Sequence, residues 1–235
     1  MSDTPPLILA LDCATTGCSA AVLQGVETRA LDAREMARGQ AEVLLPMIEG
    51  ILKDADCLPK DLDAVAITRG PGAFTGMRIG LSTARAYALA LGVPCIGVTT
   101  LEAVAANVSE EDRKGHAILA AIESKRADIY VQLFDETGKP LSEPTAAEGQ
   151  AIADLIKDRA PVLCVGDAST RAQDMAGEHG GELLLSTAPT LPDARIVGQI
   201  ALSRLDSAKE NEPPAPLYLR PPDAKLPKNQ GRARP

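Results

Sequence analysis

The chain has 235 residues, enough for one large domain or two small lobes, and 45% of them are hydrophobic, so a core can be filled. Aromatic residues make up only 2% with no Trp, which removes the stacking platforms a single-strand nucleic-acid binder needs. A net charge of -8 excludes capture of nucleic acid by the general surface.

Leu7 to Leu11 is an apolar run ending at Asp12, and Cys18 to Leu23 resumes as a strand after the small-residue turn Cys13-Ala14-Thr15-Thr16-Gly17, so the two predict a hairpin. Asp12 with Thr15 could hold a metal-nucleotide phosphate, but Asp is equally common as a turn starter. Val26 to Ala33 alternates and predicts a third strand. From Gln40 to Asp54 the residues Val43, Leu44, Met47, Ile48, Ile51 and Leu52 recur at helical spacing around Pro46. They cover more than a narrow stripe, so Val43, Met47 and Ile51 are either core or the surface for a partner.

The stretch Thr68 to Ala88 organises the first half. A buried strand, Ala64 to Ile67, stops at Gly70-Pro71-Gly72, and a helix follows with Thr75 placed to cap it. Gly76, Gly80, Ala84 and Ala88 at spacing four leave one helix face almost bare, so another backbone can approach. Backbone amides at such a helix start cradle phosphate or another anion. A tight βα turn alone accounts for the pattern as well, since neither a P-loop lysine nor GxGxxG is present. Val93 to Val98 predicts a strand and Leu101 to Val108 a helix begun by Thr99-Thr100.

The polar stretch Ser109 to Gly115 separates a second half that restarts with strands, Ala117 to Ile122 and Ala127 to Phe134, around the charged turn Glu123-Ser124-Lys125-Arg126. Helix Thr145 to Lys157, strand Val162 to Val165, helix Ala168 to Glu178, strand Leu183 to Leu185 and helix Asp193 to Leu205 complete it. The order repeats that of the first half, which predicts two α/β lobes with a cleft between them: 1–108, 109–212, and a Pro-rich extended tail 213–235, disordered beyond Asp223. The cysteines Cys13, Cys18, Cys57, Cys95 and Cys164 form no CxxC pair and read as reduced thiols of a cytoplasmic protein. His116 and His179 are too far apart in sequence to suggest a metal site, and two such histidines give little to a Ser-His-Asp set. No apolar run is long enough for a membrane span, and MSDTPP is not a signal peptide.

GPGAFTGMRIGLSTARAYALAL, preceded by LALDCATTGCSAAVL and followed by PCIGVTTLEAVA, closely resembles the bacterial TsaB proteins, as do ESKRADIYVQLF and PLYLRPPDAK. The resemblance implies an α/β fold of the duplicated actin/Hsp70/sugar-kinase type, two lobes with mixed sheets flanked by helices. It implies a role in making N6-threonylcarbamoyladenosine beside the anticodon of tRNAs that read codons starting with A. The transfer is credited to TsaD, a paralogue with a metal held by HxxxH. The acyl donor, threonylcarbamoyl-AMP, comes from a separate synthase, TsaC or its relative.

The stretch matching those histidines is VTTLEAV, which puts Thr100 and Val104 in their place. Val has no ligand atom and neutral Thr is a poor one. The expectation is therefore a chain with no catalytic residue and no metal of its own, not an enzyme alone but the accessory partner of a TsaD-like paralogue, joined by a TsaE-like ATPase and meeting tRNA through the complex. No cofactor is required, with ATP or ADP bound, if anywhere, at the complex. The alternative is an active nucleotide-hydrolysing or phosphotransfer enzyme using the loop Asp12, Thr15, Gly70, Pro71, Gly72, Thr75 and Gly76. Where many relatives have RGHxE, this chain has Gln40, which cannot titrate, so no acid-base role falls there. The family contact implied is a four-helix one through Gln40–Asp54 and Thr75–Leu91, with Val43, Leu44, Met47, Ile51, Ile79, Thr83 and Tyr87 supplying much of it. The same surface could serve a homodimer when the paralogue is absent.

Overall fold

A computed structural model describes residues 4–159, 161–208 and 212–220. The first half opens with three antiparallel strands, β1 (Leu7–Asp12), β2 (Gly17–Gln24) and β3 (Glu27–Glu35). β1 and β2 are buried almost throughout, as their uninterrupted apolar runs require of central strands, while β3 alternates and forms the edge. Helix α1 (Gln40–Asp54), strand β4 (Ala64–Thr68), helix α2 (Phe74–Leu91) and strand β5 (Cys95–Val98) follow, giving a sheet of order β3-β2-β1-β4-β5 with β1, β4 and β5 parallel.

After helix α3 (Thr100–Ala105) and the single turn α4 (Glu110–Arg113), the second half repeats the plan. β6 (Ala117–Glu123), β7 (Ile129–Phe134) and β8 (Thr145–Ala147) are antiparallel; α5 (Gly149–Ile156), β9 (Val162–Val165), α6 (Ser169–Gly177) and β10 (Leu184–Leu185) come next, and β6, β9 and β10 are parallel. The order β10-β9-β6-β7-β8 is the first sheet read from its other edge. The expected helix at Thr145 begins instead at Gly149. Thr145 to Ala147 extends along β7, with Ala147 opposite Ile129, because the open edge of that sheet offers backbone partners a helix would forgo.

Each lobe covers its outer sheet face with its own two helices: α1 and α2 pack on the first sheet around Leu9, Leu11, Val65 and Ile67, and α5 and α6 on the second around Leu119, Val131 and Cys164. The inner faces are covered crosswise. Leu101, Val104 and Val108, from α3 and the turn after it, lie against Ile118, Ile122 and Phe134 of the second sheet. Helix α7 (Ala194–Leu202) lies on the first sheet, with Ala194, Val197 and Ala201 against Ile8, Ala10 and Leu23. The boundary expected at 108/109 therefore parts each sheet from the helix that closes it. α7 belongs with the first lobe, not with the second.

Helix α3 is joined to the chain just after α7. Thr99 and Glu102 close a reciprocal cap at the start of α3, and the Glu102 carboxylate accepts Arg204 Nη2 at 2.6 Å. Burial disfavours the Glu102 carboxylate, but Arg204 and the Thr99 amide hold its pKa below the ordinary value. Residues 212–220 return over the first lobe, where Leu217 N–H donates to the Arg69 carbonyl at 2.7 Å and Arg85 to the Pro214 carbonyl at 2.5 Å. The expected disorder beyond Asp223 lies outside the described residues.

Candidate functional site

The β1–β2 turn, the Gly-rich loop, the β6–β7 turn and the C-terminal strap converge on a cleft of about 940 Å³. Its wall holds Arg38, Arg78, Lys125, Arg126 and Arg220 against Glu42, Glu123 and Asp167, so the cleft is more basic than a chain of net charge -8 would suggest.

On the first lobe, the loop Gly70-Pro71-Gly72 carries a cis Gly70–Pro71 peptide and presses on the β1–β2 turn. Ala73 N–H donates to the Ala14 carbonyl at 2.6 Å. A Cβ at Gly72 would overlap that same carbonyl, and one at Gly76 would overlap the carbonyl of Cys13. These glycines are needed for contact between backbones inside this chain. The bare face of α2 is used the same way: Gly76, Gly80, Ala84 and Ala88 turn inward, Gly80 onto Cys13 and Ile67, so that face is closed to any outside partner. Thr75 does not cap α2. Ala73 holds the cap position without a side-chain bond, and Thr75 sits in the first turn, exposed on the cleft wall.

Of the residues expected to form an anion loop, Thr15, Pro71, Gly72, Thr75 and Gly76 line the cleft. Asp12 and Gly70 stand behind it. Asp12 is 1% exposed and accepts the Thr68 hydroxyl at 2.6 Å and the Ala14 amide at 3.1 Å. Burial pushes its carboxyl up to about 6 against the pull of those two donors. Thr15 is 6% exposed and its hydroxyl has no partner.

The second lobe contributes Glu123, which pairs with Arg171 at 2.8 Å, and Asp167, whose carboxylate accepts the Glu123 amide at 2.9 Å. Burial holds the Asp167 pKa above the usual carboxylate range. The strap closes one end of the cleft: Arg78 donates to the Tyr218 hydroxyl at 3.0 Å and lies 3.8 Å over the Phe74 ring, and Arg220 pairs with Asp128 of the second lobe. Tyr218 and Arg220 belong to the segment PLYLRPPDAK, which carries part of the family resemblance but no partner for either residue.

A second, open groove of about 560 Å³ runs between α1 and α2 on the outside of the first lobe, lined by Ala41, Leu45, Phe74, Ile79 and Thr83 among others. Of the residues expected on a contact face, Val43, Ile79, Thr83 and Tyr87 are partly exposed. Leu44, Met47 and Ile51 are at most 2% exposed and sit in the first-lobe core, so the helix turns a different face outward. The outward residue that sequence reasoning missed is Leu45, 49% exposed; the i, i+3, i+7 set Leu44, Met47 and Ile51 is the inward stripe, and Leu45 falls outside it. Phe74 (53%) and Leu89 (83%) add to the exposed apolar surface of α2.

Thr100 and Val104 are the positions that the resemblance sets against histidines. Val104 is fully buried among apolar side chains, and the hydroxyl of Thr100, the first residue of α3, is buried without a partner. Among the described residues no group of three or more His, Cys, Asp and Glu is placed to hold an ion, and no helix is long and apolar enough to cross a membrane.

Comparison with known proteins gives these features a context. The family model of TsaD, tRNA N6-adenosine threonylcarbamoyltransferase, matches residues 34–176, more than half the chain. The tRNA threonylcarbamoyladenosine biosynthesis protein TsaB of Escherichia coli is 31% identical over 222 residues, covering 91% of this chain and 94% of that protein. A crystal structure from Pseudomonas aeruginosa, of an uncharacterized protein with similarity to peptidase YeaZ, superposes with a TM-score of 0.76 at 24% identity, covering 92% of this chain and all of that one. Component A of (R)-2-hydroxyglutaryl-CoA dehydratase from Acidaminococcus fermentans shares the fold at a TM-score of 0.51 and 11% identity, covering 86% of this chain and 99% of that one. The doubled sheet is thus the duplicated actin/Hsp70/sugar-kinase fold. Matched by a family model over more than half its length and by a 31%-identical relative over nearly all of it, the chain belongs to the TsaB family.

Proposed function

We propose that this chain acts in tRNA threonylcarbamoyladenosine biosynthesis as a partner subunit of a TsaD-like transferase, docking through the outer face of α1 and α2. The observation that carries this is the apolar surface left on those helices, Leu45, Phe74 and Leu89 with the partly exposed Ile79, Thr83 and Tyr87. Surface of this kind on a chain with a full core is what a protein contact uses. That the chain is not itself the transferase is supported by Val104 and Thr100, which offer no metal ligand set. A TsaE-like ATPase joins the pair, tRNA is met through the assembled complex, and in the absence of the paralogue the same face pairs two copies of this chain.

The test is reconstitution with tRNA, threonylcarbamoyl-AMP synthesis, the TsaD-like and TsaE-like proteins, with and without this chain. Modified adenosine is expected only when both this chain and the transferase are present. Product from this chain without the transferase would overturn the proposal. Leu45→Glu is expected to abolish co-purification with the transferase while leaving the circular dichroism spectrum unchanged.

One observation favours a second function, nucleotide turnover in the cleft: the unpartnered Thr15 hydroxyl on its wall. Calorimetric titration of the isolated chain with ATP decides it. Heat at background level into the millimolar range removes this alternative.

A further inference from the structure

Cys13 and Cys18 flank the turn that forms part of the cleft wall. Asp12 pairs with Ser19 in the β1–β2 ladder, and the same register continued by one residue sets Cys13 opposite Cys18. Residues opposed across antiparallel strands have Cα atoms roughly 4.5–5.5 Å apart, inside the range a disulfide bridges. Their sulfurs already touch, with Sγ–Sγ at 3.5 Å, and both side chains are at most 1% exposed. Only about 1.5 Å of closure separates this contact from a bond of about 2 Å. The other thiols are arranged differently: Cys95 and Cys164 are buried and free, and Cys57 is free and half-buried.

We propose that Cys13 and Cys18 form a modification site, a reversible disulfide made with hydrogen peroxide as oxidant, which locks the cleft-facing turn Ala14–Gly17. The Cys18 thiolate attacks one peroxide oxygen; the O–O bond breaks, a sulfenic acid forms on Cys18, and the hydroxide released takes the proton Cys18 had given up, leaving as water. The Cys13 sulfur then displaces the sulfenic oxygen. The S–S bond forms, the S–O bond breaks, and the Cys13 proton leaves with that oxygen as a second water. Both sulfurs are oxidised by one electron each and the peroxide is reduced to water.

The roles follow from the contact. Cys13 S–H donating to Cys18 lowers the Cys18 pKa and raises that of Cys13, so Cys18 is the attacking thiolate and Cys13 the resolving thiol. The lock has a definite target. The turn it closes supplies the Ala14 carbonyl that accepts Ala73 N–H and the Thr16 carbonyl that accepts Met36 N–H, so it holds both the Gly-rich loop and the chain entering α1.

The experiment treats the folded full-length protein with hydrogen peroxide, alkylates remaining thiols in denaturant, and reads tryptic peptides by mass spectrometry. The peptide ending at Arg29 holds both cysteines, and Cys57 lies on another. The expected result is a Met1–Arg29 peptide lighter by two hydrogen atoms, unalkylated, and restored by a thiol reductant, while the peptide of Cys57 gains oxygen. Cys13→Ser, which keeps a hydroxyl donor to Cys18 but no second sulfur, should instead leave Cys18 as a sulfenic acid that dimedone, added with the denaturant, traps. A Met1–Arg29 peptide whose fragment ions place added oxygen on Cys13 or Cys18 in the wild type, oxygen on Met1 being set aside, or one that stays fully alkylated after Cys57 is consumed, would overturn the proposal. So would a Cys13→Ser protein with the wild-type fold in which dimedone, added with the denaturant, labels nothing on that peptide.

Discussion

The Asp12 carboxylate accepts the Thr68 hydroxyl at 2.6 Å, joining the ends of two parallel strands directly behind the cleft. Burial raises its pKa from 3.8 to about 6, with Asp193 adding to the rise. A carboxyl raised on folding contributes stability that is fully present below the unfolded value and lost as pH climbs through the folded one. Between pH 4 and pH 6 the protein should therefore lose up to about 3 kcal/mol from this group alone, at 1.36 kcal/mol per pKa unit. Asp12→Asn keeps an oxygen for both donors and never ionises. Urea unfolding should find it more stable than the wild type at pH 7.5 and no more stable at pH 4; the same difference at both would refute the assignment.

Two glycines in helices should respond oppositely to alanine. At Gly76 a Cβ overlaps the Cys13 carbonyl, so α2 must lift from the β1–β2 turn, and Gly76→Ala should cost about 2–3 kcal/mol. At Gly50 of α1 nothing lies within 4 Å of the added carbon, and Gly50→Ala should gain about 0.5–1 kcal/mol through helix propensity. Paired denaturation curves read both.

Arg220→Ala leaves the Asp128 side chain, 5% exposed, without its cation, although the Ser124 hydroxyl still reaches it at 2.9 Å. The loss should be about 1–3 kcal/mol, and adding Asp128→Asn should recover part of it by removing the stranded charge. Thermal melts of the two single variants and the double variant measure the coupling. Simple additivity would mean that strap and second lobe are independent.

Met47 and Leu45 are two positions apart and should behave as opposites. Met47→Glu places an unpaired charge in the first-lobe core and should unfold the protein or cost several kcal/mol. Leu45→Glu faces water and should change stability by less than about 0.5 kcal/mol. Circular dichroism melts separate them.

Much of the first lobe was legible along the chain. The bounds Gln40–Asp54 of α1 came from helical spacing, and the hairpin and the strand before Gly70 came from apolar runs broken by turn residues. What stayed hidden was direction. The six apolar residues of α1 wrap so far around the helix that the inward stripe could not be told from the outward one, and Leu45 went unnoticed. The bare face of α2 announced a close backbone, but not that the backbone was the chain's own at Cys13 and Ala14. That Thr15 and the Gly-rich loop sit in turns was legible because turn chemistry is local, and the structure sets both on the cleft wall. Arg220 on Asp128 was not, since nothing near either residue in sequence records the pairing.

The crosswise placement of α3 and α7 also bears on synthesis. As the chain leaves the ribosome, the inner face of the first sheet, with Ile8, Ala10 and Leu23, waits for residues 194–202, which are made last among the folded elements that cover it. The nascent first lobe is therefore an unfinished layer with an apolar side open. A stop codon that removes the final helix damages the N-terminal sheet rather than the segment next to the truncation.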